Sequence, residues 1–145
     1  MSKLAALLVL IFVVLSNART FQIVNKCHHE IHIQSRGAGG PNGKVGAGRT
    51  AHLGVSHNWN GRMWANGADN KATLGEFCLA CWNNLDNYNL SVIDGYNLPM
   101  RISPHKGGCP TVACHGRPCA QGYNFPADNS KMKTCHPTDY TIQFC

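Results

Sequence analysis

Apolar and polar residues alternate in short runs along most of the chain, and glycine, proline and asparagine separate the runs. Phe21-Gln22-Ile23-Val24 is the first strand candidate. Ile31-His32-Ile33-Gln34 alternates strictly, as a strand with one buried face does. Thr50 to Val55, Arg62 to Ala65 and Thr73 to Cys78 extend the series. The clearest period-two run is Asn87 to Asp94, with Tyr88, Leu90 and Val92 on one face and Asn89, Ser91 and Ile93 on the other. Asp94-Gly95 then marks a turn. Asp139 to Cys145 closes the chain as a strand. Arg36 to Arg49 holds six glycines and a proline, which predicts turns alone. Ser103 to Pro126, rich in Gly, Pro and Cys, predicts irregular chain held by disulfides. A turn near Cys78 to Asn83 is the one helical feature expected. The pattern is that of an all-β sandwich or barrel.

The N-terminus departs from this pattern. Lys3 precedes a wholly apolar run, Leu4 to Leu15, and Ser16-Asn17-Ala18 follows with small residues before a cleavage point. These three parts predict a secretory signal peptide over residues 1–18. The apolar run is also too short for a stable membrane span. Residues 19–145 are then expected to form a single domain, acting outside the cell as a monomer. All eight cysteines lie in it, and an even number in an exported chain reads as a disulfide framework.

The net charge of +6 is spread over scattered Lys and Arg. No basic track suggests nucleic acid as a partner, and solubility accounts for the diffuse charge. No glycine-rich loop leads from a strand into a helix, and no nucleophilic Ser or Cys arrangement stands out, so no cofactor is expected. His28, Glu30 and His32 fall on one face of a strand by period two, where a zinc or copper site is conceivable. A polar outer face explains them better than a metal site, and no metal is assigned. Cys78-Leu79-Ala80-Cys81 reads as a disulfide, with a redox pair or half a zinc site as alternatives. Asn89-Leu90-Ser91 is an N-glycosylation sequon. Trp64 is a core candidate. Trp59, between Ser56-His57-Asn58 and Asn60-Gly61, is a candidate for stacking on a sugar ring, the alternative being a packed loop anchor.

Several segments in order resemble one family. Phe21-Gln22-Ile23-Val24-Asn25-Lys26-Cys27 resembles the opening strand of thaumatin-like proteins, and Gly61-Arg62-Met63-Trp64-Ala65 an inner strand of theirs. Ala72-Thr73-Leu74-Gly75-Glu76-Phe77 and Asn89 through Met100 (NLSVIDGYNLPM) are similar to two further family motifs. Tyr140-Thr141-Ile142-Gln143-Phe144-Cys145 resembles the family's closing strand. The chain is identified as a small member of the thaumatin-like (pathogenesis-related family five) proteins. Only His115 to Pro118 separates Cys114 from Cys119, so the helical second domain of the large members is expected to be absent.

The resemblance implies a flattened β-sandwich with disulfide-held loops. It implies the pairs Cys27–Cys145, Cys109–Cys135 and Cys114–Cys119, which leaves Cys78 and Cys81 for one another. It also implies a cleft in which Arg62, Glu76 and Asp94 occupy the charged positions. Two further positions, acidic in the family, fall on the neutral Asn89 and Gln121. Trp59 or Tyr96 would stand nearby. A defence or antifungal role through binding of cell-wall polysaccharide, chiefly β-1,3-glucan, is the expectation. The alternatives are a weak endo-β-1,3-glucanase using Glu76 and Asp94, and a secreted inhibitor or effector that grips a protein such as a glycoside hydrolase. The depleted carboxylate set favours binding over hydrolysis.

Overall fold

The alternating runs become strands whose apolar residues face one another across two sheets. The computed structural model describes residues 18–145, so all of the expected leader but Ala18 lies outside the described residues. In chain order the strands are β1 (Arg19–Asn25), β2 (Ile31–Arg36), β3 (Gly43–Val45), β4 (Thr50–Val55), β5 (Asn60–Ala65) and β6 (Leu74–Cys78). Then follow β7 (Asp86–Ser91), β8 (Met100–Pro104), β9 (Val112–Cys114), β10 (Lys133–Cys135) and β11 (Tyr140–Phe144). Two three-residue helical turns, Asp69–Lys71 and Trp82–Asn84, are the helix among the described residues. One sheet has the order β4-β1-β11-β8-β9, the other β10-β7-β6-β5-β2-β3. Every named pair is antiparallel except β1 with β11.

Four expectations need correction. The glycine-rich stretch contains β3, and the Gly/Pro/Cys-rich stretch contains the end of β8 and all of β9. Strand β10 went unrecognised as well. β3, β9 and β10 are three-residue strands at sheet edges. Their order comes from the neighbour strand and the disulfides, so they carry no alternation of their own. Cys27 to His29 form a bend before β2 and Glu30 is irregular, so His28 and Glu30 share no strand face with His32. Glu30 instead accepts a hydrogen bond from His32 at 3.1 Å, an exposed contact.

The core is aromatic at its centre. The Phe21 ring lies 4.9 Å from Phe77, 5.5 Å from Tyr140 and 6.0 Å from Trp59. Tyr88 and Tyr140 meet edge-on at 5.5 Å, the geometry their quadrupoles favour. Ile23, Ile33, Met63, Leu90, Ile102 and Ile142 complete it from six strands. Trp64 is buried, but with Ala72 and Leu74 in a separate cluster on the opposite face of its sheet.

The parallel pairing of β1 with β11 sets Asn25 beside Phe144, so both strands leave the sheet at one end. Cys27 and Cys145, just beyond, are joined there. Closing that 118-residue separation stabilises by about 4–5 kcal/mol in the chain-entropy account. Cys109–Cys135 and Cys114–Cys119 hold the chain around β9 and β10, and Cys78 is bonded to Cys81.

Asp86 is fully buried at the start of β7, and Arg19, at the start of β1, pairs with it. Tyr140 Oη donates to the same carboxylate at 2.9 Å, Ala80 N at 2.9 Å and Thr138 N at 3.3 Å. Burial first, and then the Asp86 charge, push the Tyr140 hydroxyl far above its ordinary range, so it stays a donor. Removing one member of a buried pair leaves an uncompensated charge. Asp86→Asn, which strands the Arg19 guanidinium, is therefore expected to cost about 3–5 kcal/mol in denaturant unfolding. Arg19→Met should cost less, because Asp86 keeps three donors. A loss under about 1 kcal/mol for Asp86→Asn would mean that water screens the pair.

Candidate functional site

Strand register builds a polar row across the outer face of the six-stranded sheet. Arg36 of β2 stands beside Arg62 of β5, Arg62 beside Glu76 of β6, and Glu76 beside Asn89 of β7. Two residues along, Asn60, Cys78 and Asn87 form a second row. Alternation explains why these side chains gather: Met63, Phe77, Tyr88 and Leu90, next to them along the strands, point to the other face and fill the core. The rows line a groove of about 510 Å³, with Gly37, Gly61, Phe77 and Met132 completing its walls.

Charge in and behind the groove is balanced. Arg62 Nη2 donates to Asp69 Oδ2 at 2.6 Å, and Arg36 Nε donates to the same oxygen. The hydrogen bond from Arg36, above all, and that from Arg62 hold the Asp69 carboxyl at about 2, against the effect of partial burial. Asn89 Nδ2 donates to Glu76 Oε2 at 2.8 Å. Arg36 and Arg62 are thus offset by Asp69 and Glu76, and three asparagine amides supply the remaining polarity. Among the residues lining the groove, Glu76 is the sole carboxylate.

The groove gathers Arg62, Glu76 and Asn89 and leaves the other expected residues elsewhere. Asp94 is exposed at the Ile93-Asp94 bend and is not among the lining residues. Directly after the bend only glycine fits, since a Cβ on Gly95 would come within 2.5–2.7 Å of the Lys71 backbone. Arg62 pairs with Asp69 rather than with Glu76 or Asp94. Gln121 accepts from Ala113 N at 2.8 Å and lines a different recess with Arg101 and His115. Tyr96 packs against the main core. Asn89 is only 8% exposed, so a glycan on its sequon would have to leave through the groove.

Trp59 is the plainest correction: it is 1% exposed and cannot stack on a sugar. Its polar sequence neighbours conceal a glycine slot. A Cβ on Gly37, Gly40 or Gly61 would lie 2.9, 2.6 or 2.8 Å from Trp59 Nε1. That nitrogen donates to the carbonyls of Arg36 and Gly37 at 3.3 and 3.2 Å. The glycine-rich stretch therefore houses an indole. Arg36, Asn60, Asn87 and Met132 line the groove beyond the residues expected from the sequence. Alternation along β5 and β7 carried a signal for Asn60 and Asn87, whereas Arg36 and Met132 depend on register across strands.

Asp69→Asn should release both guanidiniums from their shared anchor. A carboxyl lowered by folding adds stability above its unfolded value, and that stability is lost as pH falls through the folded value. The difference in unfolding midpoint between Asp69→Asn and the parent protein should thus be full at pH 7. It should shrink below about pH 4 and be gone below about pH 2. A difference that does not change with pH would show that the Arg36–Asp69–Arg62 bridge adds nothing to stability.

Comparison with known proteins agrees with this architecture. The Thaumatin family model matches residues 65–117. A thaumatin-like protein of Oryza sativa subsp. japonica is 29% identical, covering 90% of this chain and 86% of its own. Pathogenesis-related protein 1A/1B of Hordeum vulgare is 30% identical, covering 99% of this chain and 98% of its own. A glucan endo-1,3-beta-glucosidase of Prunus avium is 33% identical over a shorter stretch, 39% of this chain and 35% of its own. A thaumatin-like xylanase inhibitor shares the fold at a TM-score of 0.64 and 15% identity, over 86% of this chain and 98% of its own. A two-sheet, four-disulfide fold and near-full-length similarity to such relatives lead to one conclusion: the chain belongs to the thaumatin family of defence-related proteins.

Proposed function

We propose that this protein is secreted and binds neutral cell-wall polysaccharide of the β-1,3-glucan type, without cutting it. The single observation that carries the reading is the composition of the groove: one carboxylate, Glu76, hydrogen-bonded by Asn89 where a second acid would have to stand. Most enzymes that hydrolyse a glycosidic bond use two carboxyl groups flanking it. An open groove lined by Asn60, Asn87 and Asn89 suits hydroxyl groups instead: Asn89 spends its Nδ2 on Glu76 and Leu90 O and keeps its carbonyl oxygen, while Asn87 accepts from Thr134 and keeps its amide donors. Balanced charge favours a neutral polymer over a polyanion. The apolar leader and the disulfides support work outside the cell. The sequence relative named as a glucan endo-1,3-beta-glucosidase supports the choice of glucan. Capture of a glycoside hydrolase ranks second, because the inhibitor that suggests it shares 15% identity and so speaks for the fold.

The oxidised protein should co-sediment with insoluble β-1,3-glucan in preference to cellulose and release no reducing sugar. Arg62→Ala should weaken that binding by about tenfold, the loss of one well-placed polar anchor, and Glu76→Gln should keep most of it. Sugar release that disappears in Glu76→Gln would make the protein an enzyme. Failure to pellet with any polysaccharide would sink both carbohydrate readings.

A further inference from the structure

Trp82 is 82% exposed, whereas Trp59 and Trp64 are 1% and 7% exposed. It sits in the loop between β6 and β7, and the groove reaches both flanking strands beside that loop: Cys78, the last residue of β6, and Asn87, the second of β7, are lining residues. Cys78 alternates with the inward-facing Phe77, so its sulfur lies on the groove side of the sheet. The bond to Cys81 ties that residue to the groove-side sulfur, and Trp82 is the next residue, just outside the lining itself.

The loop is also held in shape. Cys81 N donates to Leu85 O at 2.8 Å, Asn84 N to Cys81 O at 2.9 Å and Leu85 N to Trp82 O at 3.2 Å. Ala80 N donates to the buried Asp86. Ala80, Asn83 and Asn84 take left-handed backbone at φ of 48°, 55° and 55°, conformations that asparagine tolerates better than most residues. An exposed indole on so fixed a backbone meets a ligand with little ordering left to do.

Resting on the polysaccharide-binding reading above, we propose that Trp82 is an outer subsite of the groove and stacks on a pyranose ring of a neutral β-glucan. The chain from Leu79 to Leu85 carries no charge, and Asn83 and Asn84 flank the indole with exposed amides. That setting suits a sugar, which offers an apolar ring face edged by hydroxyls. A protein partner would want a wider apolar centre, and the other large exposed apolar side chains are only Phe125 and Met132 among the described residues. Trp82 thus takes the role the sequence suggested for Trp59.

The test is calorimetric titration of the oxidised protein with a linear β-1,3-glucan hexasaccharide, together with oxidation of exposed indoles by N-bromosuccinimide. Trp82→Ala should weaken binding by roughly tenfold, as loss of one aromatic contact does, and Trp82→Phe should retain most of the affinity. The hexasaccharide should also shield Trp82 from oxidation in the parent protein. Equal affinity in Trp82→Ala with an unshielded Trp82 would overturn this subsite while leaving groove binding intact. Absence of binding by the parent protein would remove the groove reading and the subsite together. Shielding by an added endo-xylanase but not by the hexasaccharide would overturn the sugar subsite in favour of a protein contact.

Discussion

The buried carboxylate of Asp86 is the constraint on which the rest of the molecule depends. It belongs to β7 in one sheet, and its partners Arg19 and Tyr140 belong to β1 and β11 in the other. Burying an ionised group is costly unless paired and hydrogen-bonded, so the sheets meet where its donors converge. Tyr140 brings the core's aromatic cluster to that point. Ala80 brings the loop that carries Trp82. One carboxylate therefore links the joint between the sheets, the packing of the core and one end of the groove.

The groove follows from register rather than from any local motif. Strands β2, β5, β6 and β7 each contribute one polar residue to a single row, and the disposition of charge in that row decides what it can do. Asp69 anchors two arginines from outside the row. Asn89 occupies Glu76 without adding charge. A second acid at position 89 would give the groove the paired carboxylates that sugar hydrolysis uses; the amide instead donates to Glu76 and keeps its carbonyl oxygen as an acceptor. The chemistry of the groove turns on that one side chain.

Much of the fold was legible in the sequence, and the reasons are physical. β1, β4, β7 and β11 alternate over five or more residues, long enough for the period to show, and β4 falls where the alternation put it. β3, β9 and β10 are too short for a period to emerge, and pairing with a neighbour creates them. Of the site, Arg62, Glu76 and Asn89 could be read from family resemblance, yet their mutual contacts could not. Trp59 misled because polar neighbours in sequence say nothing about three glycines folding around an indole. The sequence assigns Trp82 no role because its exposure comes from a disulfide-closed loop, and the family resemblance has no cysteines at Cys78 and Cys81.

The central claim is that the Asn-lined groove holds glucan and leaves it whole. Side-chain amide NMR during titration with a β-1,3-glucan oligosaccharide tests both halves at once. The account predicts that the amide signals of Asn60, Asn87 and Asn89 shift and saturate while the ligand's reducing-end signals stay constant in number. Shifts confined to other surfaces, or new reducing ends appearing as the titration stands, would contradict it.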